Sequence, residues 1–302
     1  MNKIIAFGCI MLGIFAQAQI NRFFYDYQYI PDSGNREDVK KEMMYLDISS
    51  KGSRYYSRDA FIADSVQMAK VAAMMKGVSL QSAGGGRAKA FVMGGNNNMN
   101  KVVKEYPSFT TYLLTSIGAD RYKVKEDRKP DWKILPDKQK IGEYNAQKAT
   151  ATFGGRDWIA WFTTDIPFQD GPYKFYGLPG LIVKIEDTTG SHKMTLAGNK
   201  KVNASEGSDT DSSKTASLPI LASLGSDGKE IELTNAQFRK AWKEYQADPA
   251  KNMKQMLSNV GSGKIMMNGG DVNQAEVIRH IEKTQKEAMA KNNNPIEPDL
   301  VK

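Results

Sequence analysis

Five carboxylates crowd one stretch of this chain: Asp157, Asp165, Asp170, Glu186 and Asp187, with Arg156 at its head. Two carboxyl groups facing each other across a cleft can divide acid and base work on a glycosidic bond. The same oxygens could instead ligate calcium. The plainer reading is favoured: Asp165 and Asp170 as turn residues, the others as surface charge, Arg156 as a structural anchor for one of them. Candidate ligand-facing residues are therefore Arg156, Asp165, Asp170, Glu186 and His192.

Other chemistry is thin. The chain has only two histidines, His192 on an expected strand and His280 on an expected helix. No Gly-x-Ser-x-Gly elbow is present, no spacing ties a serine to either histidine, and no His-x-x-x-His pair suggests zinc. Both are read as satisfied structural residues. Methionines cluster at Met68, Met74 and Met75, at Met253 and Met256, and at Met266 and Met267. Thioethers can hold Cu(I), but methionine is also an ordinary core filler. Gly84-Gly-Gly86 has no Lys-Ser/Thr pair after it. Gly261-Ser-Gly-Lys264 has Ser258 in place of the first glycine of a phosphate loop and Ile265 where Ser or Thr belongs. No catalytic residue, cofactor or metal site is assigned.

These residues must be placed by the stretch 156–187. Trp158 to Phe162 alternates Trp158, Ala160 and Phe162 against Ile159 and Trp161, a strand covered on both faces. Ile166-Pro167 and Gly171-Pro172 interrupt the ladder, because proline has no N–H to give. In Gly177-Leu178-Pro179-Gly180-Leu181 the Pro-Gly pair predicts a type II turn, followed by a buried strand to Ile185. Gly177-Leu-Pro-Gly-Leu-Ile182, preceded by Ala160-Trp-Phe, Ile166-Pro167 and Gly171-Pro-Tyr-Lys-Phe175, resembles the signature of the GLPGLI family of bacterial envelope proteins. The resemblance implies an envelope location and a β-rich fold, and no catalytic residues. Trp158, Trp161, Pro167, Gly171, Pro172, Gly177, Leu178, Pro179, Gly180 and Leu181 are its shape-determining residues.

Residues 1–18 read as a secretory signal peptide, with Lys3, an apolar stretch from Ile4 to Phe15 and Ala16-Gln-Ala18 as cleavage site. No stretch is long enough for a transmembrane span. The only cysteine, Cys9, lies within that segment, so the mature chain has no disulfide or cysteine nucleophile. The net charge of +8 drops by one when Lys3 leaves. Its lysines are scattered among acids, which favours a solvated surface with some attraction to anionic envelope polymers over nucleic acid.

Strand-like alternation recurs at 22–30, 42–49, 53–57, 101–106, 109–117, 121–126, 132–135, 148–153 and 192–197, besides the signature. Asp59 is expected to cap a helix over 59–76, followed by a flexible loop at 77–98. Residues 205–217 are polar and aperiodic, a disordered loop. Thr234-Asn-Ala-Gln237 is a capping box for a helix bearing Phe238, Trp242 and Tyr245, stopped at Asp248-Pro249. A second helix is expected at 250–257. Asn268 to Asp271 is expected to cap a last helix, 272–291, with Ile278 and Ile281 inward and a fraying tail beyond Asn292. The fold class is α+β. It has a curved antiparallel sheet, or partial β-barrel, of about ten strands, with one inserted helix and two or three C-terminal helices. The β domain spans 19–204, and a helical segment, 218–302, packs on it.

The expected function is a non-enzymatic exported protein, periplasmic, peripherally associated with the outer membrane, or secreted. It would bind a hydrophobic ligand, a peptide or a partner protein on its curved sheet. A hydrolase using the signature carboxylates is the alternative, and metal handling stands third.

Overall fold

The computed structural model describes residues 19–63, 100–118, 120–203, 230–260, 265–267 and 270–301. The signal peptide, the loop at 77–98, the polar loop at 205–217 and Met68, Met74 and Met75 lie outside them. Among the described residues twelve strands form one sheet. In chain order they are β1 (Gln19–Tyr29), β2 (Lys40–Ser49), β3 (Gly52–Ser57), β4 (Lys101–Glu105), β5 (Thr110–Ile117) and β6 (Asp120–Lys125). After them come β7 (Lys133–Ile141), β8 (Tyr144–Phe153), β9 (Arg156–Thr163), β10 (Leu181–Asp187), β11 (His192–Asn203) and β12 (Ile231–Thr234). Across the sheet the order is β12-β6-β5-β4-β3-β2-β1-β11-β10-β9-β8-β7. Two antiparallel meanders are thus joined where the first strand pairs with the eleventh.

The sheet is β-rich as expected, but it is larger, open and mixed. Its extra strand, β12, runs parallel to β6, and both ends of the order are unclosed. It is nevertheless curled: Arg128, just after β6, lies 5.2 Å from the ring of Phe153 at the end of β8. The inner face carries the period-2 apolar positions Phe23 and Tyr25, Met44, Leu46 and Ile48, and Trp158, Ala160 and Phe162. The opposite face of β9 is only half-covered at Ile159 and Trp161, where two-sided burial was expected.

Tight turns follow glycine chemistry. Gly154 and Gly155 have φ of 67° and 80°, the pair of left-handed residues that a two-residue hairpin wants. β7 is longer than anticipated because its second half, Lys138 to Ile141, is a polar edge that returns through Gly142-Glu143 into β8.

A helical segment begins at residue 58, and Ser57 Oγ accepts from Ala60 N. Ser57 thus takes the capping role given to Asp59. Helix α1 (Asn235–Ala247) starts with the expected reciprocal box of Thr234 and Gln237 and lays Phe238 into the core. Helix α2 is Lys251–Val260. Short strands β13 (Ile265–Met267) and β14 (Gly270–Val272) then pair with each other, so α3 (Gln274–Lys291) is capped by Asn273 and not within 268–271. None of α3 is buried; Ile278 and Ile281 are half-exposed. Beyond it the tail does not fray. It docks and ends in the short α4 (Pro298–Val301), with Leu300 buried.

Candidate functional site

Between β9 and β10 the chain makes a detour, residues 164–180, that lies over the concave face. The detour braces itself. Gly177 N donates to Gln169 O, Leu181 N to Ile166 O and Ile182 N to Asp170 O. Phe175, fully buried, packs against Trp158 with ring centres 4.7 Å apart and an edge-on geometry. The turn at Pro179 is tighter than the expected type II turn. Gly180 N bonds Leu178 O at 2.8 Å, two residues apart, which is a γ-turn. Gly180 has φ of 151°, and a Cβ there would stand 2.0 Å from Thr163 O. Glycine is therefore required twice over.

Two buried ionic centres hold the detour, and a third holds the tail. In the first, Lys104 of β4 gives its ammonium to Asp170 and to Gly171 O at 2.7 Å, while Tyr106 donates to the other oxygen of Asp170. Lys104 and Asp170 are both fully buried, and burial pushes the Lys104 ammonium down from its usual range.

The second centre is larger. Lys174 Nζ lies 2.6 Å from Glu126 Oε2 and 2.6 Å from Glu297 Oε1. Arg128 Nε donates to Glu126 Oε1 at 2.7 Å, and the same guanidinium reaches Glu297 and Asp299. Tyr173, held at φ of 55°, donates its hydroxyl to Glu297. Asn235, at the start of α1, donates to Glu126 at 2.6 Å. Burial disfavours the Glu126 carboxylate, but the Arg128 bonds and the Lys174 charge outweigh it and hold Glu126 down at about 2.

In the third centre Arg156 binds Asp187 at 2.9 Å, Asn294 Oδ1 at 2.6 Å and Pro295 O at 2.6 Å. Asp187 in turn accepts from His192 N at 2.7 Å. His192 Nε2 lies 3.1 Å from the carbonyl of Asn294, so that nitrogen carries the proton, and Nδ1 accepts from Tyr27 OH at 2.7 Å. Burial, with the Arg156 charge beside it, pushes His192 down to about 4. It is a neutral imidazole wedged between β1 and the tail.

The residues singled out by sequence therefore part company. Trp158, Gly171, Pro172, Leu178, Gly180 and Leu181 are buried in the packing of the detour, and Pro167, Gly177 and Pro179 stand at its exposed turns. Trp161 points outward, with Lys148 Nζ 6.0 Å from its ring centre. Asp165 and Asp157 are exposed, and Asp157 accepts from Thr152. Glu186 pairs with Lys184 at 2.6 Å. Asp170 and Asp187 are each bound to a buried cation. Four of the five carboxylates thus have separate partners, and Asp165 stands exposed. Among the described residues no three His, Cys, Asp or Glu side chains cluster as a metal ion would need. Lys104, Glu126, Arg128 and Glu297 carry no local mark in the sequence; Tyr173 and Lys174 lie in the signature segment Gly171 to Phe175.

Residues 153–184 match a family model. It is described as "Protein of unknown function (Porph_ging)" and covers the end of β8, all of β9, the detour and the first part of β10. No curated protein matches the chain. Among solved structures it is similar to PNGF-II in its C2 and P21 crystal forms, at 13% and 14% identity and TM-scores of 0.43 and 0.45. These likenesses cover 72% and 74% of this chain but 31% and 33% of the other, so the chain spans about a third of that protein's length.

Proposed function

We infer that this is a non-enzymatic exported protein of the cell envelope, akin to the GLPGLI family, that binds a peptide or partner protein on the outside of its sheet. One observation carries the reading: the detour 164–180 and the tail fill the concave face, and their buried charged groups are spent on one another and on Lys104, Glu126 and Arg128. Among the described residues Phe175, Leu178 and Tyr173 pack the hollow of the sheet, which favours a partner outside it over a hydrophobic ligand within. The outer face over β7 to β9 is open, and Lys133, Lys148, Thr150, Thr152, Asp157 and Ile159 line a shallow groove there. The signal-like sequence at 1–18 supports export, and no helix among the described residues is long and apolar enough to cross a membrane.

The hydrolase alternative draws less support, because Asp170 and Asp187 are locked to Lys104 and Arg156. Native mass spectrometry of the chain recovered from its own envelope fraction tests the inference. A retained peptide or protein mass is expected. A bare monomer, together with turnover of a hydrolase substrate that Asp165→Asn abolishes without unfolding the chain, would overturn it.

A further inference from the structure

The sheet order ends at β7, and among the described residues no strand pairs beyond it. In an antiparallel pair only alternate residues spend their backbone groups on the neighbour, so an edge strand offers a row of free N–H and C=O groups. The edge is divided. Its register with β8 is broken between Ile134 and Lys138, around Pro136, whereas Lys138 to Ile141 is regular, paired with Gln147 to Tyr144. All side chains from Asp137 to Lys140 are exposed.

Lys138 and Lys140 stand two residues apart, hence on one face of the strand. Opposite them β8 offers the neutral Gln147 and Asn145. The acid of the adjoining turn, Glu143, is hydrogen-bonded to Tyr144. Over its length β7 carries three lysines against one aspartate. Such lysines keep a free edge from pairing with a second copy of itself, since antiparallel β7–β7 contact would set ammonium against ammonium. They do not close it to a strand of the opposite charge.

We propose that the 138–141 edge of β7 accepts an extended acidic segment of a partner protein as a further strand of the sheet. Its acids would sit at every second position, facing Lys138 and Lys140. The inference rests on the reading above that the chain binds a peptide or partner protein, and sets the contact at the sheet edge beside the groove, with the acids on the face shared by Gln147 and Asn145. Backbone bonds along the edge would supply attachment, and cross-strand ion pairs the choice of partner.

The test titrates the whole chain with labelled heptapeptides alternating Val with Glu, with Gln or with Lys, and with the Glu peptide N-methylated at alternate amides. The Glu peptide is expected to bind roughly tenfold better than the Gln peptide. The N-methylated one should lose binding, and the doubly reversed K138E/K140E variant should turn to the Lys peptide. Equal binding of the N-methylated and parent peptides would reduce the contact to loose charge attraction and overturn strand addition, as would equal binding of the Glu and Gln peptides. The same reversed variant is recovered from the envelope beside the unaltered chain. A partner mass kept by both removes the edge and leaves the broader reading standing; a partner mass on neither removes both.

Discussion

Glu126 and Glu297 share one ammonium: Lys174 Nζ lies 2.6 Å from a carboxylate oxygen of each. One carboxylate follows β6, the other belongs to the tail, and the lysine sits in the detour between β9 and β10. A buried cation that touches both cannot be satisfied until three distant parts of the chain have come together. Glu297→Gln leaves Lys174 with Glu126, and Arg128 with Glu126 and Asp299, but removes the second negative charge that both cations face and turns the acceptor of Tyr173 from a carboxylate into a neutral amide oxygen. It is expected to cost about 2–3 kcal/mol in urea unfolding, with loss of amide protection in 292–301.

The Lys104–Asp170 pair is fully buried, so removing one partner strands the other. Lys104→Met alone is expected to destabilise by about 3–5 kcal/mol. The double change Lys104→Met with Asp170→Asn should recover part of that loss, because no bare charge remains. A double variant as unstable as the sum of the singles would deny the coupling.

Two glycines of the signature separate sterics from backbone strain. At Gly180 a Cβ would meet Thr163 O at 2.0 Å, whereas at Gly177, φ 94°, it would meet nothing within 4 Å. Gly177→Ala is expected to cost about 1–2 kcal/mol. Gly180→Ala should cost more than about 3 kcal/mol, and Gly180→Val should yield no folded chain. Thermal melts of the two alanine variants check the order.

His192 sets an acid limit. Its folded value near 4 lies below the unfolded 6.5, so between those values the unfolded chain binds a proton that the native chain refuses. Stability is therefore full above about pH 6.5 and falls as pH drops toward 4, by roughly 3 kcal/mol in all. Glu126, held down at about 2 from 4.5, loses its own contribution only as pH falls below 4.5 toward 2. Urea midpoints from pH 7.5 to 4 should slope for the unaltered chain and flatten for His192→Gln. Equal slopes would assign the loss elsewhere.

Much of the frame is legible in local pattern. Alternation marks β1, β2 and β9, the Gly154-Gly155 pair marks a hairpin, and the Thr234 box and Asp248-Pro249 bound α1. Of the ionic centres only the Arg156 anchor is marked in the sequence, and it takes Asp187. Lys104 is one lysine among many, and its burial depends on Asp170 arriving from across the sheet, which no periodicity encodes. The tail misleads for the same reason. Asn293, Asn294 and Pro295 look like a frayed end, yet Asn294 bonds the backbone of Ile30 and Pro31. Glu297 and Leu300 are buried. Polar residues anchor by partner, and partners distant in sequence are invisible in it. The pattern shows only the first part of β7, because an exposed edge strand has no apolar side to alternate.

The pairing of β1 with β11, and the tail's grip on both, have a consequence for biogenesis. The first strand of the sheet must wait for the eleventh, and the buried Lys174 must wait for Glu297. Strands β1 to β6 pair with their chain neighbours and can form in order, but the second meander and the tail must join before the sheet is whole. Its core closes in a late, collective step after residue 297 has been made, and until then the aromatic strands stay open to chaperones.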